Sequence, residues 1–198
     1  MSTFGMSGLI QKLAVVSLLT VSLFGLNGCA LVVAGGAAGA TMVAMDARDV
    51  GTQVDDNSLR IRVQTQLRDT QELAEQRVLI VAYDGNVLAY GQVSDQARKE
   101  LAVRTIRNVD GVNRVYDQLR IAQPVSFSQR SRDTLLTSRV KTALLAQREF
   151  DHTNISVYSE ANEVFLVGRT SRQAATNAIE TARHVNGVER VIDVIDKR

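Results

Sequence analysis

The chain is written twice. Arg62-Val63-Gln64-Thr65-Gln66-Leu67 is matched 77 positions later by Arg139-Val140-Lys141-Thr142-Ala143-Leu144. At the same spacing Asn86-Val87-Leu88-Ala89-Tyr90-Gly91 meets Glu163-Val164-Phe165-Leu166-Val167-Gly168. Gly111-Val112-Asn113-Arg114-Val115-Tyr116-Asp117 then meets Gly187-Val188-Glu189-Arg190-Val191-Ile192-Asp193, 76 positions on, with five of the seven residues identical. A period of this length means two copies of one folding unit, so the elements of one copy predict those of the other. Pro124, the only proline, falls between the copies, where it interrupts backbone pairing and marks a boundary.

Each copy reads helix, strand, strand, helix, strand. Leu59, Val63 and Leu67, and their counterparts Leu136, Val140 and Leu144, recur at helical spacing and line one face of a first helix. Asp56 and Asp133 are its expected N-terminal caps. Two β-rich runs around a short turn follow, Val78–Tyr83 and Val87–Val93, then Ile155–Ser159 and Glu163–Arg169, and each pair reads as a hairpin. Ala102, Ile106 and Val109, matched by Ala178, Ala182 and Val185, mark a second helix. Gly111 and Gly187 are expected to end it in a left-handed cap. The final strands, Val112–Ile121 and Val188–Val194, come after a helical crossover and so should pair in parallel. The expected class is α+β, an α/β sandwich with a mixed three-stranded sheet covered by two helices in each unit. A unit of this size buries only about 60% of its unfolded surface, so the two are expected to lean on each other.

The first residues are of another kind. Lys12 precedes an apolar run, Ala14–Leu26, that is too short for a membrane span, which needs about 20 residues. A basic start, a short apolar core and small residues at its end read as an export signal. Leu26-Asn27-Gly28-Cys29 resembles the bacterial lipobox, which implies cleavage before Cys29 and lipid attachment there. An uncleaved anchor with an incidental cysteine is the alternative. Ala30 follows the cysteine rather than Asp, which in the lipoprotein rule implies sorting to the outer membrane. Residues 30–45 are rich in Gly and Ala and read as a tether, or as an apolar segment resting on a membrane. The expected organisation is a signal at 1–28, a lipidated tether at 29–54, units at 55–121 and 133–198, and a linker at 122–132.

Composition removes several functions. A net charge of +2 lacks the basic excess of a broad nucleic-acid surface. One Cys allows no intrachain disulfide, and two His with one Cys cannot complete a four-ligand Cys/His zinc site. Aromatic residues are 5% and Trp is absent, which disfavours carbohydrate stacking. His152 and His184 have no nucleophile or metal motif beside them. They read as a solvated loop residue and a helix-end residue. Gly35-Gly36-Ala37-Ala38-Gly39 lacks the following Lys-Ser/Thr of a phosphate loop. Neither catalysis, a metal nor a cofactor is expected.

The order helix–hairpin–helix–strand, with Val87-Leu88-x-x-Gly91 and Gly111-Val112-x-x-Val115, resembles the BON domain. Two such domains behind a lipobox resemble the outer-membrane BON lipoproteins, and Val50-Gly51-Thr52-Gln53-Val54-Asp55-Asp56 is similar to their entry into the first domain. The resemblance implies a non-enzymatic protein that binds anionic phospholipid, gathers at the division site and supports envelope integrity.

The copies differ on the first helix. Leu135 and Leu145 lie off the buried stripe, where the first copy has Ser58 and Arg68. From Arg130 to Arg148 the charge is +4, with Arg130, Arg132, Arg139, Lys141 and Arg148 against Asp133, although Glu149 follows at once. The matching window, Gln53–Gln71, is neutral. Exposed leucines beside cations suit a helix lying on an anionic membrane surface. The candidate phospholipid-binding residues are Leu135, Arg139, Lys141, Thr142, Leu145 and Ala146. The resembled lipoprotein has Trp where this chain has Leu135, and Leu lacks the interfacial preference of an indole. Two alternatives stay open. In one, Leu135 and Leu145 form the contact between the units; in the other, the protein is an envelope scaffold for peptidoglycan-hydrolase control, division proteins or outer-membrane protein assembly. The acidic stretch Asp46–Asp56 would suit the scaffold.

Overall fold

The computed structural model describes residues 50–147 and 153–198. The first copy comprises α1 (Val50–Asp69), a short 3-10 turn (Gln71–Leu73), β1 (Arg77–Tyr83), β2 (Asn86–Val93), α2 (Gln96–Arg107) and β3 (Arg114–Ile121). The second comprises α3 (Phe127–Leu145), β4 (Ile155–Glu160), β5 (Glu163–Thr170), α4 (Arg172–Arg183) and β6 (Arg190–Lys197). Each copy forms one three-stranded sheet with the hairpin strands antiparallel and the last strand parallel to the middle one, in the order β1-β2-β3 and β4-β5-β6. This is the expected α+β class, and the registers repeat: Val87 faces Val115 and Val164 faces Val191.

Leu59, Val63 and Leu67 of α1 pack with Ala102 and Ile106 of α2 over Val87, Ala89 and Leu119. Leu136, Val140 and Leu144 of α3 do the same with Ala178 and Ala182 over Val164, Leu166 and Ile195. The opposite sheet faces meet each other. Val81, Tyr83, Leu88 and Tyr90 pack against Phe165, Val167 and Val194, with Tyr116 and Tyr158 at the margin. All four tyrosines of the chain lie in this layer. The order across the molecule is therefore helices, sheet, sheet, helices, and each small unit completes its burial on the other.

Three ion pairs fasten the layer's edges. Arg77 holds buried Glu160 through two bonds, Nε to Oε1 at 2.7 Å and Nη2 to Oε2 at 2.9 Å. Arg120 holds Glu163 at 2.9 Å, and Arg169 holds Asp84 at 2.8 Å. The bond to Glu160 is the main reason the Arg77 guanidinium is held more firmly protonated than usual.

Three local expectations are corrected. Asp56 and Asp133 are not helix caps, because each lies well inside its helix. Asp56 instead accepts the backbone N–H groups of Asp84 (2.9 Å) and Gly85 (3.0 Å). Asp133 accepts those of Ala161 (2.9 Å) and Asn162 (3.0 Å). Each carboxylate thus ties its helix to the turn of its own hairpin, where left-handed backbone leaves N–H groups without ladder partners. Gly111 (φ +92°) and Gly187 (φ +98°) do have left-handed backbone, but four residues beyond the helix ends. The caps proper are right-handed Asn108 and His184, and the glycines shape the turn into the last strand. Finally, α3 starts at Phe127, capped by Ser126 Oγ accepting from Gln129 N at 3.2 Å, so it reaches back into the 122–132 segment read as linker.

Gly91 shows why the middle strand needs glycine. Its φ is +112°, and a Cβ there would lie 2.1 Å from the Arg77 carbonyl oxygen across the hairpin. Gly168, the same position in the second copy, would meet the Asn154 carbonyl oxygen at 1.9 Å.

Candidate functional site

The sequence difference between the copies lies on α3, and the helix's burial decides which way it points. Asp133, Leu136, Val140 and Leu144 face inward, and α3 lies chiefly over β4. The other side is open. Leu135 and Leu145 are each 57% exposed and Phe127 is 81% exposed. This overturns the alternative in which the leucines join the two units, since that contact is made by the sheet faces. Thr142 is exposed on the same side, as is Ala146, the cap residue just past the helix end. Phe127 and Leu145 are separated by five full helical turns, so they share one meridian ~27 Å apart.

A helix starting at Asp133 leaves Phe127 outside it, so the sequence expectation does not reach Phe127. The available signal was Ser126-x-x-Gln129 ahead of it, the pattern of a capping box. In the first copy, among the described side chains, α1 exposes one comparable residue, Ile61, where α3 has Ser138.

Cations flank the apolar meridian. Arg132 and Arg139 lie along one side, Arg130 and Lys141 along the other. Among the described residues none of the four makes an ion pair. Arg132 donates to Gln129 Oε1 and Arg130 Nε to the Val125 carbonyl oxygen. Arg139 has a further role, because its Nη1 reaches the Asn186 carbonyl oxygen at 3.5 Å, as Arg62 Nη2 reaches that of Asp110 at 3.3 Å. This repeated contact steadies the first helix of each copy, so Lys141 is the least committed cation of the candidate set. Arg148 lies outside the described residues.

Elsewhere the described residues hold no group of three or more His, Cys, Asp or Glu that could bind a metal. His184 caps α4, and its Nδ1 lies 2.7 Å from the Glu180 carbonyl oxygen. A carbonyl only accepts, so Nδ1 carries the proton. His152, Cys29, the export signal and the glycine-rich tether lie outside the described residues. Among the described residues no helix is long and apolar enough to cross a membrane.

Two stacked helix–hairpin–helix–strand units, each with a mixed three-stranded sheet, define a tandem BON protein. The BON domain is matched at residues 55–123 and again at 132–196, and the chain belongs to the BON-domain family. It is 40% identical to the Outer membrane lipoprotein DolP of Haemophilus influenzae over 186 residues, which cover 93% of this chain and 95% of that protein. It is 39% identical over 153 residues to a 21 kDa hemolysin of Actinobacillus pleuropneumoniae, 77% of this chain and 79% of that one. It is 30% identical over 145 residues to the Osmotically-inducible protein Y of Escherichia coli, 72% of each. Among solved structures, the C-terminal domain of CdsD, from the type III secretion system of Chlamydia trachomatis, covers 71% of this chain and 97% of its own. Its TM-score is 0.29 at 10% identity, too low to argue from.

Proposed function

We propose that this protein is an outer-membrane lipoprotein, anchored on the periplasmic face through lipid on Cys29, that binds anionic phospholipid with α3 of its second BON domain. In this reading it is enriched at the division site and maintains envelope integrity, as the resemblance implies. The observation that carries the reading is the α3 surface, with Phe127, Leu135 and Leu145 exposed together and Arg130, Arg132, Arg139 and Lys141 beside them without an ion-pair partner among the described residues. Each cation near an anionic leaflet contributes on the order of 1 kcal/mol. Each part-buried large apolar side chain adds roughly 1–3 kcal/mol at most. Neither set suffices alone against lost motional freedom, so binding requires both and weakens with salt. The name of the Haemophilus relative supports the location.

The test is vesicle binding with and without anionic lipid, at low and high salt. Leu135→Glu should abolish binding through both terms, while Ser58→Glu at the matching position of the first domain should change little. Unchanged binding by folded Leu135→Glu, or equal loss from Ser58→Glu, refutes the assignment. For the anchor, Cys29→Ser should leave the protein unprocessed or mislocalised. Normal processing and outer-membrane fractionation of that variant would overturn it.

A further inference from the structure

Asn186-Gly187 is the one Asn-Gly step among the described residues, and the function proposed above makes no use of it. It lies in the turn between α4 and β6, with both residues exposed. Gly187 has left-handed backbone, at φ +98°. The neighbouring N–H groups are used: Val185 N donates to the Ala182 carbonyl oxygen at 3.2 Å, and Val188 N to that of Val185 at 3.1 Å. Among the described residues Gly187 N has no acceptor, and the Asn186 side-chain amide has no partner.

A backbone nitrogen next to an asparagine can attack the side-chain carbonyl when it is unbonded, uncrowded and wet. Glycine has no Cβ to crowd its nitrogen and loses little by turning its backbone. The other exposed asparagines are guarded. Asn57 lies inside α1, where the next N–H belongs to the helix ladder. Asn108 precedes Val109, whose N–H is bound to the Ile106 carbonyl oxygen at 3.2 Å, and Asn113 precedes Arg114, which opens β3. The Asp84-Gly85 step is held as well, because Gly85 N donates to Asp56 Oδ1 and the Asp84 carboxylate pairs with Arg169.

We infer that Asn186 is a site of spontaneous deamidation, and that the carboxylate it yields pairs with Arg139. Gly187 N loses its proton to hydroxide and attacks Asn186 Cγ. The new C–N bond closes a five-membered succinimide, and the side-chain nitrogen takes a proton from water and leaves as ammonia. A water molecule then breaks one of the two imide C–N bonds. Cleavage at Cγ gives aspartate, and cleavage at the α-carbonyl gives isoaspartate, with the main chain routed through the side chain. Both products put a negative charge beside Arg139, whose Nη1 lies 3.5 Å from the Asn186 carbonyl oxygen. In the isoaspartate that same oxygen becomes part of the free carboxylate. In the aspartate the acid stands where the first copy has Asp110, whose carbonyl oxygen Arg62 Nη2 reaches at 3.3 Å. The first copy thus shows that this turn accommodates an acid next to the arginine. Conversion is one-way, so the modified form accumulates with the age of the chain and turns a neutral contact of Arg139 into a charged pair.

The experiment holds the purified full chain at neutral and at mildly alkaline pH and maps its peptides by mass spectrometry. Isoaspartate is read with an isoaspartyl methyltransferase, and a synthetic peptide of residues 182–192 gives the unhindered rate. Asn186 should convert before Asn57, Asn108 and Asn113, and faster at the higher pH. Its rate should lie within about tenfold of the peptide's, a barrier difference below ~1.4 kcal/mol. Earlier conversion at another asparagine, or a folded rate further below the peptide's, overturns the site. Asn186→Gln would have to close a six-membered ring and should stay unmodified; acid formation at that position in the variant overturns the mechanism. For the pairing, the Arg139 Nε–H signal in an NMR spectrum should shift as the wild type converts and again in Asn186→Asp, and should stay in place in Asn186→Gln. A signal that does not move overturns the pairing with Arg139.

Discussion

Phe165→Ala tests whether the two units share one core or merely touch. Phe165 is 1% exposed on the face of β5 turned toward the first sheet, with its ring 4.7 Å from that of Tyr90 and tilted at 44°. A buried aromatic removes 150–250 Å² from water, roughly 4–6 kcal/mol at 25 cal/mol per Å² as an upper bound. Alanine keeps part of that, and large-to-small aromatic changes in cores cost about 3–5 kcal/mol. Because the lost contacts are with Tyr90 and the first sheet, the loss falls on the joint between the domains. Val164→Ala, one residue away but facing α3 and α4, is the control, since its cost stays within the second domain. Urea unfolding followed by far-UV circular dichroism and tyrosine fluorescence separates the two cases. There is no Trp, and every Tyr lies in the inter-sheet layer, so the fluorescence reports on that layer directly. Phe165→Ala should move the tyrosine transition to lower urea, ahead of the circular dichroism transition. A cost below about 1 kcal/mol with the two transitions still coincident would refute the shared core.

Asp133→Ala should destabilise the second domain by about 1–3 kcal/mol, because it leaves the Ala161 and Asn162 N–H groups without an acceptor. Asp56→Ala should do the same to the first, and thermal melts in which either variant matched the wild type would show that the carboxylates do not hold the hairpin turns. Burial, followed by the nearby Tyr158 and Glu160, raises the Tyr90 phenol above its ordinary value of 10.0, against the lowering effect of Arg77. The native state therefore resists ionisation that the unfolded chain undergoes. Stability should hold below pH 10 and fall as pH rises above it. Tyr90→Phe should flatten that alkaline slope in urea midpoints measured from pH 8 to 11, and an unchanged slope would place the sensitive group elsewhere.

The fold was legible because the repeat checks each element against its copy, and because the hairpins and crossover helices leave few pairings. The inter-sheet contact was legible only as an expectation that the units lean together. Its signal lies in β2 and β5, where Val87, Leu88, Ala89 and Tyr90, and Val164, Phe165, Leu166 and Val167, are apolar without alternation. A strand apolar on both faces needs a layer on each side, and the helices supply only one. The direction of Leu135 and Leu145 was not legible, because an exposed leucine and an interface leucine occupy the same helical positions. Filling the inter-domain layer with Tyr90, Phe165 and their neighbours is what leaves α3 outside it.

The divergence between the copies follows the same geometry. Residues that hold each unit together recur: the Leu59/Val63/Leu67 and Leu136/Val140/Leu144 trios, Asp56 and Asp133 on their turns, Arg62 and Arg139 on theirs. Among the residues that differ, two groups mark surfaces. At the joint, Leu88 stands against Phe165, Tyr90 against Val167 and Tyr83 against Glu160, as two faces must differ to interlock. On the first helix, Ser58, Ile61 and Arg68 stand against Leu135, Ser138 and Leu145. The joint accounts for the first set, because those side chains touch across it. Among the described residues no contact accounts for Leu135 and Leu145, each more than half exposed in a domain whose core cluster does without them. An apolar change that adds nothing to folding and raises the exposed hydrophobic surface is retained most economically where that surface meets something outside the chain.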